Sequence, residues 1–148
     1  MTLDVDALRA SFDLVITRQP DLTHVFYEEL FVRYPESRAL FFRRPQAVQE
    51  QMLAETLVAA LDHLDDDEWL RDKLAGLGAQ HAEYGVTEEM YGWVASTLLD
   101  TLAKAAGDDW TAETATAWRD ALGAVASLML AGYPTAPDDR SADTSASV

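Results

Sequence analysis

Three histidines, His24, His63 and His81, carry most of the coordination and acid–base chemistry that this sequence could offer. The chain has no cysteine, which excludes a disulfide framework, thiolate zinc or iron–sulfur sites and thiol catalysis. His63 sits off the apolar stripe of Leu61-Asp62-His63-Leu64-Asp65 and reads as a solvated surface residue. His24 lies three positions before Tyr27 on a helical segment and reads as a boundary or surface residue. His81 differs, because it continues the stripe Leu74, Leu77, His81 at intervals of three and four and therefore faces the core. Two chemistries suit such an imidazole. Hydrogen-bonded, it is a structural core residue; alone in an apolar pocket, it is what a haem iron takes on its proximal side. Gly76 and Gly78 precede it in the same helix, and each costs roughly 1 kcal/mol against alanine. Something must come close to this backbone, either a flat macrocycle or a neighbouring helix.

Other metal and catalytic readings fail on ligand count or setting. The chain has no His-Glu-x-x-His and no pair of Glu-x-x-His helices, as zinc or di-iron sites require. It has no glycine-rich phosphate cradle and no strand–turn–helix setting for a serine triad. One imidazole plus an external cofactor is the metal reading that survives.

The elements that would position these residues read as helices throughout. Val5, Leu8, Phe12, Val15 and Ile16 form a one-faced stripe, ended at Gln19-Pro20 because the residue before proline avoids helical dihedrals. A second helix carries Phe26, Leu30 and Phe31 and stops at Tyr34-Pro35, and a short turn from Glu36 to Leu40 leads to Phe41 and the basic loop Arg43-Arg44-Pro45. A helix from Ala47 to Leu64 turns Leu53, Leu57, Ala60, Leu61 and Leu64 inward. The run Asp65-Asp66-Asp67 suits the positive end of the next helix dipole. That helix, with Leu70, Leu74, Leu77 and His81, frays at Tyr84-Gly85. Thr87 reads as an N-cap followed by Glu88 and Glu89, for a helix with Tyr91, Val94, Leu98 and Leu102 on one face, ended by Gly107-Asp108. Trp110 to Tyr133 forms the last helix. The expectation is an all-α domain over residues 1–134, with about seven helices of unequal length in orthogonal packing. Residues 135–148, rich in Pro, Asp, Ser, Thr and Ala, read as a disordered tail.

At 148 residues the chain fits one domain. Its 26 acidic against 11 basic residues give a formal charge of −15. That balance argues against nucleic acid, whose binding needs clustered Lys and Arg, and against anionic lipid. No basic stretch with an apolar run opens the chain and no run approaches a membrane span, so the expected compartment is the cytoplasm.

The segment Val25-Phe26-Tyr27-Glu28-Glu29-Leu30-Phe31, followed by Tyr34-Pro35-Glu36 and Arg38-Ala39-Leu40-Phe41, resembles the bacterial haemoglobins, both single-domain forms and the globin domains of flavohaemoglobins. So does His81 with Tyr84-Gly85-Val86, Tyr91, Val94 and Leu98-Leu99, and the resemblance spans about residues 5–132 in one order. It implies a globin fold around one haem pocket. The cofactor would be haem b (iron protoporphyrin IX), since no Cys-x-x-Cys-His offers covalent attachment. Residue by residue, the resemblance makes His81 the proximal iron ligand, Phe41 the phenylalanine wedged against the ring, and Tyr27 and Gln49 the polar pair facing the gas. Gln51 is the rival of Gln49; the register that places Leu53, Thr56 and Leu57 favours Gln49. Leu53 would lie above the iron, Tyr91 beside His81, and Leu57, Leu77, Val86, Val94 and Leu98 would line the pocket.

The chain departs from the family's pattern in three places. Tyr133 stands where a glutamate often completes a proximal His–Tyr–Glu network, and Met52 and Gln80 stand where basic residues often occur. Arg43, Arg44 and Lys73 are then the candidate partners of the haem propionates. The resemblance implies reversible binding of dioxygen, nitric oxide and carbon monoxide, for oxygen storage or delivery, by a monomer or homodimer. A nitric-oxide dioxygenase or peroxidase-like protein served by a separate reductase is the enzyme alternative, and a haem-free signalling module is the third. The set His81, Tyr27 and Gln49 speaks against the last.

Overall fold

The computed structural model describes residues 3–41 and 44–134. Six α-helices and two 3-10 turns run in the order α1 (Val5–Arg18), α2 (Leu22–Arg33), a turn Pro35–Leu40, α3 (Gln46–Asp62), α4 (Asp67–Glu83), α5 (Glu88–Ala106), a turn Gly107–Asp109 and α6 (Ala112–Ala131). Among the described residues there is no strand. The expectation of an all-α chain with helices of unequal length holds. The proposed tail, 135–148, lies outside the described residues.

The helix ends follow local chemistry. Asp4 caps α1 by accepting from the Ala7 N–H, Asp66 caps α4 by accepting from Trp69, and Thr111 caps α6 by accepting from Thr114, each satisfying an amide that has no partner within its helix. Between α4 and α5 the chain turns at Gly85, whose φ of +89° falls where a Cβ would clash. That turn returns the Val86 N–H to the His81 carbonyl at 3.0 Å.

The main core joins α1, α2, α5 and α6. Leu8, Phe12, Val15, Phe26, Leu30, Leu102 and Trp118 are buried there. Trp118 places its indole N–H 2.8 Å from Ser11 Oγ, so its one polar group is not stranded inside. Arg9 reaches the Leu61 carbonyl at 3.0 Å and ties α1 to the end of α3.

A second, smaller cluster of Leu70, Leu74 and Met129 forms where α4 packs on α6. Here the open question about the two glycines is answered. A Cβ at Gly78 would lie 1.8 Å from the Met129 carbonyl oxygen, and one at Gly132 would lie 2.0 Å from that of Ala75. The two backbones touch, so Gly78 is required by a neighbouring helix. A Cβ at Gly76 would meet nothing within 4 Å.

By contrast α3 is loosely held. Of its residues only Leu61 is buried; Leu53, Leu57 and Ala60, expected inward, are half-buried, as is Leu64 just beyond it. It packs on α2 and α1, while α4 packs on α6, and α3 and α4 are not among the closely packed pairs of the described residues.

Candidate functional site

His81 lies in the last turn of α4, half-buried. Its Nδ1 is 2.7 Å from the Leu77 carbonyl oxygen one turn earlier. A carbonyl only accepts, so Nδ1 must carry the proton and donate. In the neutral ring the lone pair then sits on Nε2, the tautomer that a metal-ligating histidine needs. Among the described residues no three His, Asp or Glu side chains gather around a metal position. A metal on Nε2 would therefore bring its other ligands with it.

Tyr91 of α5 lies beside this imidazole, ring centres 6.3 Å apart. The Tyr133 hydroxyl is 2.8 Å from the Val86 carbonyl and 3.0 Å from the Tyr91 hydroxyl. One hydroxyl has one proton, and the carbonyl cannot donate. Tyr133 therefore donates to Val86, and Tyr91 donates to Tyr133. Burial, and then this bond, push the Tyr91 phenol well above its ordinary value. The relay ends on a neutral backbone carbonyl and pins the end of α6 to the turn between α4 and α5.

The second group forms around Tyr27 of α2. Its ring meets Phe26 edge-on at 5.1 Å and Phe41 edge-on at 5.3 Å, with Phe31 tilted at 5.9 Å. Tyr27 is only 6% exposed, yet its hydroxyl has no hydrogen-bond partner among the described residues. A buried hydroxyl left unpaired costs roughly 1–3 kcal/mol, so this one calls for a partner from outside the described side chains, a water or a ligand. Burial first, and the Glu50 carboxylate second, push its pKa up to about 12, so it remains a neutral donor across the working range.

Of the two rival glutamines, Gln49 is half-buried, whereas Gln51 is exposed and donates to Glu55 at 3.2 Å. Leu53, Leu57, Phe41 and Val94 pack at the margin of the main core, and Leu77 and Tyr91 at the margin of the smaller one. Leu98 is buried in the main core itself. Phe41, Leu53, Leu57, Leu77, Val86, Tyr91 and Val94 are all half-buried. Full burial of an apolar side chain is worth roughly 1.5–3 kcal/mol, so this set leaves much of that unrealised and suits a large apolar group. No ring contact or hydrogen bond among the described residues joins the Tyr27 group to the His81 group.

His63 is half-buried rather than fully exposed: its ring stacks on Trp69 at 3.7 Å, and its Nδ1 is 2.8 Å from the Ala59 carbonyl. Arg44 and Lys73 are exposed, and Arg43 lies outside the described residues. The residue that sequence reasoning missed is Glu50, which meets His24 across α2 and α3 at 2.9 Å. Twenty-six positions separate the two, and nothing local announces the contact.

A family model described as globin matches residues 24–129. The chain is 32% identical over 111 residues to a flavohemoprotein of Bordetella pertussis, covering 74% of this chain and 28% of that protein. It thus spans little more than a quarter of that relative's length. Among solved structures, an engineered carbene transferase of Rhodothermus marinus origin, itself assigned as a nitric oxide dioxygenase, superposes with a TM-score of 0.74 at 30% identity, over 86% of this chain and 91% of that one. A bacterial globin of Campylobacter jejuni gives 0.73 at 25% identity, over 86% and 92%.

Proposed function

The chain belongs to the globin family, and from that premise we propose that it holds one haem b on His81 and reversibly binds dioxygen, with Tyr27 and Gln49 facing the gas, for storage or delivery. The observation that carries this reading is the setting of His81: its Nδ1 donates to the Leu77 carbonyl at 2.7 Å and its ring lies beside Tyr91, whereas His63, with the same kind of Nδ1 contact, is stacked on Trp69. The Tyr27 hydroxyl, without a hydrogen-bond partner among the described residues, and the half-buried apolar set support it from the other side.

A bound haem supplies the iron at which a diatomic gas is held. The chain's own residues do the rest. Phe41, Leu53, Leu57, Leu77, Val86 and Val94 offer apolar surface to the ring, and Tyr91 stands beside the histidine. The Tyr27 hydroxyl is a fixed donor for a gas that gains negative charge on binding, and such a donor is strongest where water is excluded. Of the candidate propionate partners Arg43, Arg44 and Lys73, Arg44 and Lys73 are exposed among the described residues.

A second reading, nitric oxide dioxygenation served by a reductase, draws on the assigned activity of the Rhodothermus marinus relative. The proximal side favours the first. His81 donates to a neutral carbonyl, and the Tyr91 proton is committed to Tyr133. Among the described residues no carboxylate bonds to the imidazole to make it a stronger electron donor, and that side-chain setting is one of the protein's levers over haem chemistry.

The test is a pair of substitutions read by hemin titration. His81→Ala should weaken binding more than about a hundredfold, beyond the cost of losing only an outer partner of a ligating histidine. His63→Ala, which removes a ring stacked on Trp69, should leave binding unchanged. Equal losses from the two would assign the iron to a different side chain.

A further inference from the structure

We propose that His24 and Glu50 are positioning residues that clasp α2 to α3 beside the gas-binding side, and that gas release quickens when His24 loses its proton. The proposal rests on the reading that Tyr27 and Gln49 face the gas. Four side chains build the clasp. His24 Nδ1 lies 2.9 Å from Glu50 Oε2, and Gln46 Nε2 donates to the same oxygen at 2.9 Å and reaches Glu28 Oε2 at 3.4 Å. The Glu50 side chain is only 18% exposed, whereas that of His24 is 51% exposed. A mostly buried carboxylate needs a partner, and one partner here is a group open to protons.

Position makes the clasp consequential. His24 precedes Tyr27 by three residues on α2, and Glu50 follows Gln49 directly on α3. Helix α3 is the loosely held element, with only Leu61 buried, so side-chain ties across to α2 carry weight. The Glu50 charge is also felt at the Tyr27 hydroxyl. The groups that face His24 are Glu50 from α3 and Glu28 and Asp21 from its own side. Helix α5 also packs on α2, and its Asp100 pairs with Arg33. All three groups facing His24 are carboxylates. The Glu50 bond first and the Glu50 charge second hold the His24 proton more firmly than usual.

The sign follows. A histidine whose pKa is raised by its partner gives its full stabilising effect below its ordinary value of 6.5, and that effect is lost as pH rises through the raised one. Below that point the imidazolium neutralises Glu50 and closes the clasp. Above it, the Glu50 charge is left uncompensated beside a gas that carries partial negative charge, and α3 is freer to move. Both effects speed release. Carbon monoxide, which gains little charge on binding, should respond less.

Two measurements on the haem-loaded protein test this. The first is the His24 titration by NMR in the carbon monoxide form, in wild type and Glu50→Gln. The second is stopped-flow dioxygen release from pH 5.5 to 9, in wild type, His24→Gln and His24→Lys. The expected results are a His24 pKa above its ordinary value that falls back in Glu50→Gln, and a wild-type release rate that rises about two- to fivefold through that pKa, the range of a partly exposed ion pair. His24→Gln should release fast at every pH. His24→Lys, which keeps its cation throughout, should release slowly at every pH. A merely structural role for His24 would give both variants the same rate. Dioxygen release that is measurable but flat with pH, or a step that survives in His24→Gln, would overturn the clasp and leave the gas-binding reading standing. A chain that holds no gas would overturn both.

Discussion

Two side chains with unspent hydrogen-bonding capacity define this molecule at the scale of the residue. His81 uses Nδ1 and keeps Nε2; Tyr27 is buried with its hydroxyl unpaired among the described residues. If the phenol exists to donate to a bound gas, Tyr27→Phe removes the donor and keeps the ring packed on Phe26 and Phe41. A hydrogen bond to a charged group is worth about 1.5–3 kcal/mol, so dioxygen release should speed roughly ten- to a hundredfold, and carbon monoxide release far less. Stopped-flow dissociation of both gases checks this, and unchanged dioxygen release would make Tyr27 a packing residue. The same substitution has a signature in stability. The Tyr27 phenol is raised from 10.0 to about 12, so the folded state holds this proton more tightly than the unfolded one. That contribution, roughly 3 kcal/mol, is complete below about pH 10 and lost as pH rises through about 12. Urea unfolding at increasing pH in this window should show wild type losing more stability than Tyr27→Phe. The Tyr27 register was legible in the sequence, because Phe26, Leu30 and Phe31 phase the helix around it. The Tyr91–Tyr133–Val86 relay was not, since which group donates to which emerges only when 42 and 47 residues of separation close up. His63 was misread for a related reason: its cover, Trp69, comes from across a turn.

Elements make the two residues a pair by standing on different supports. Helix α4 rides on α6 through a contact with no room for a methyl group, whereas α3 rests on α2 and α1 at half burial. Gly78→Ala would set its Cβ 1.8 Å from the Met129 carbonyl oxygen, so the helices must part. The expected cost is about 2–3 kcal/mol or more, together with weaker hemin binding, since Gly78 lies one turn before His81. Gly76→Ala meets open space and should stabilise by roughly 0.5–1 kcal/mol through helix propensity alone. Urea unfolding of the two variants separates them, and equal effects would mean that the α4–α6 contact is not as tight as described. The sequence marks both glycines as costly but cannot tell them apart, because the difference lies on the opposing helix. Helix limits were more legible. Gln19-Pro20, Asp66 and Gly107 act within a turn of themselves, and local chemistry is what a sequence displays; the last helix, expected from Trp110, starts at Ala112 after the Thr111 cap.

Among the described residues the molecule has two apolar clusters, a main one through α1, α2, α5 and α6 and a smaller one between α4 and α6, with Tyr27 and Leu98 buried in the main one and Phe41, Leu53, Leu57, Val94, Leu77 and Tyr91 at the margins. A cofactor that binds the folded state alone stabilises it by mass action, by about 4 kcal/mol at a thousandfold excess over its dissociation constant. Haem would thus complete the fold as well as the function. The charge of −15 opposes nucleic acid and anionic surfaces, and among the described residues no helix is long and apolar enough to cross a membrane. The measurement that tests the central claim most directly is the visible absorption spectrum of the purified protein, alone, after dithionite and after carbon monoxide, beside His81→Ala. The expected result is a coloured protein whose spectrum shifts with reduction and shifts again with the gas, and a His81→Ala variant that loses the bound chromophore. A colourless wild-type protein that takes up no added hemin, or a haem spectrum indifferent to carbon monoxide, would contradict it.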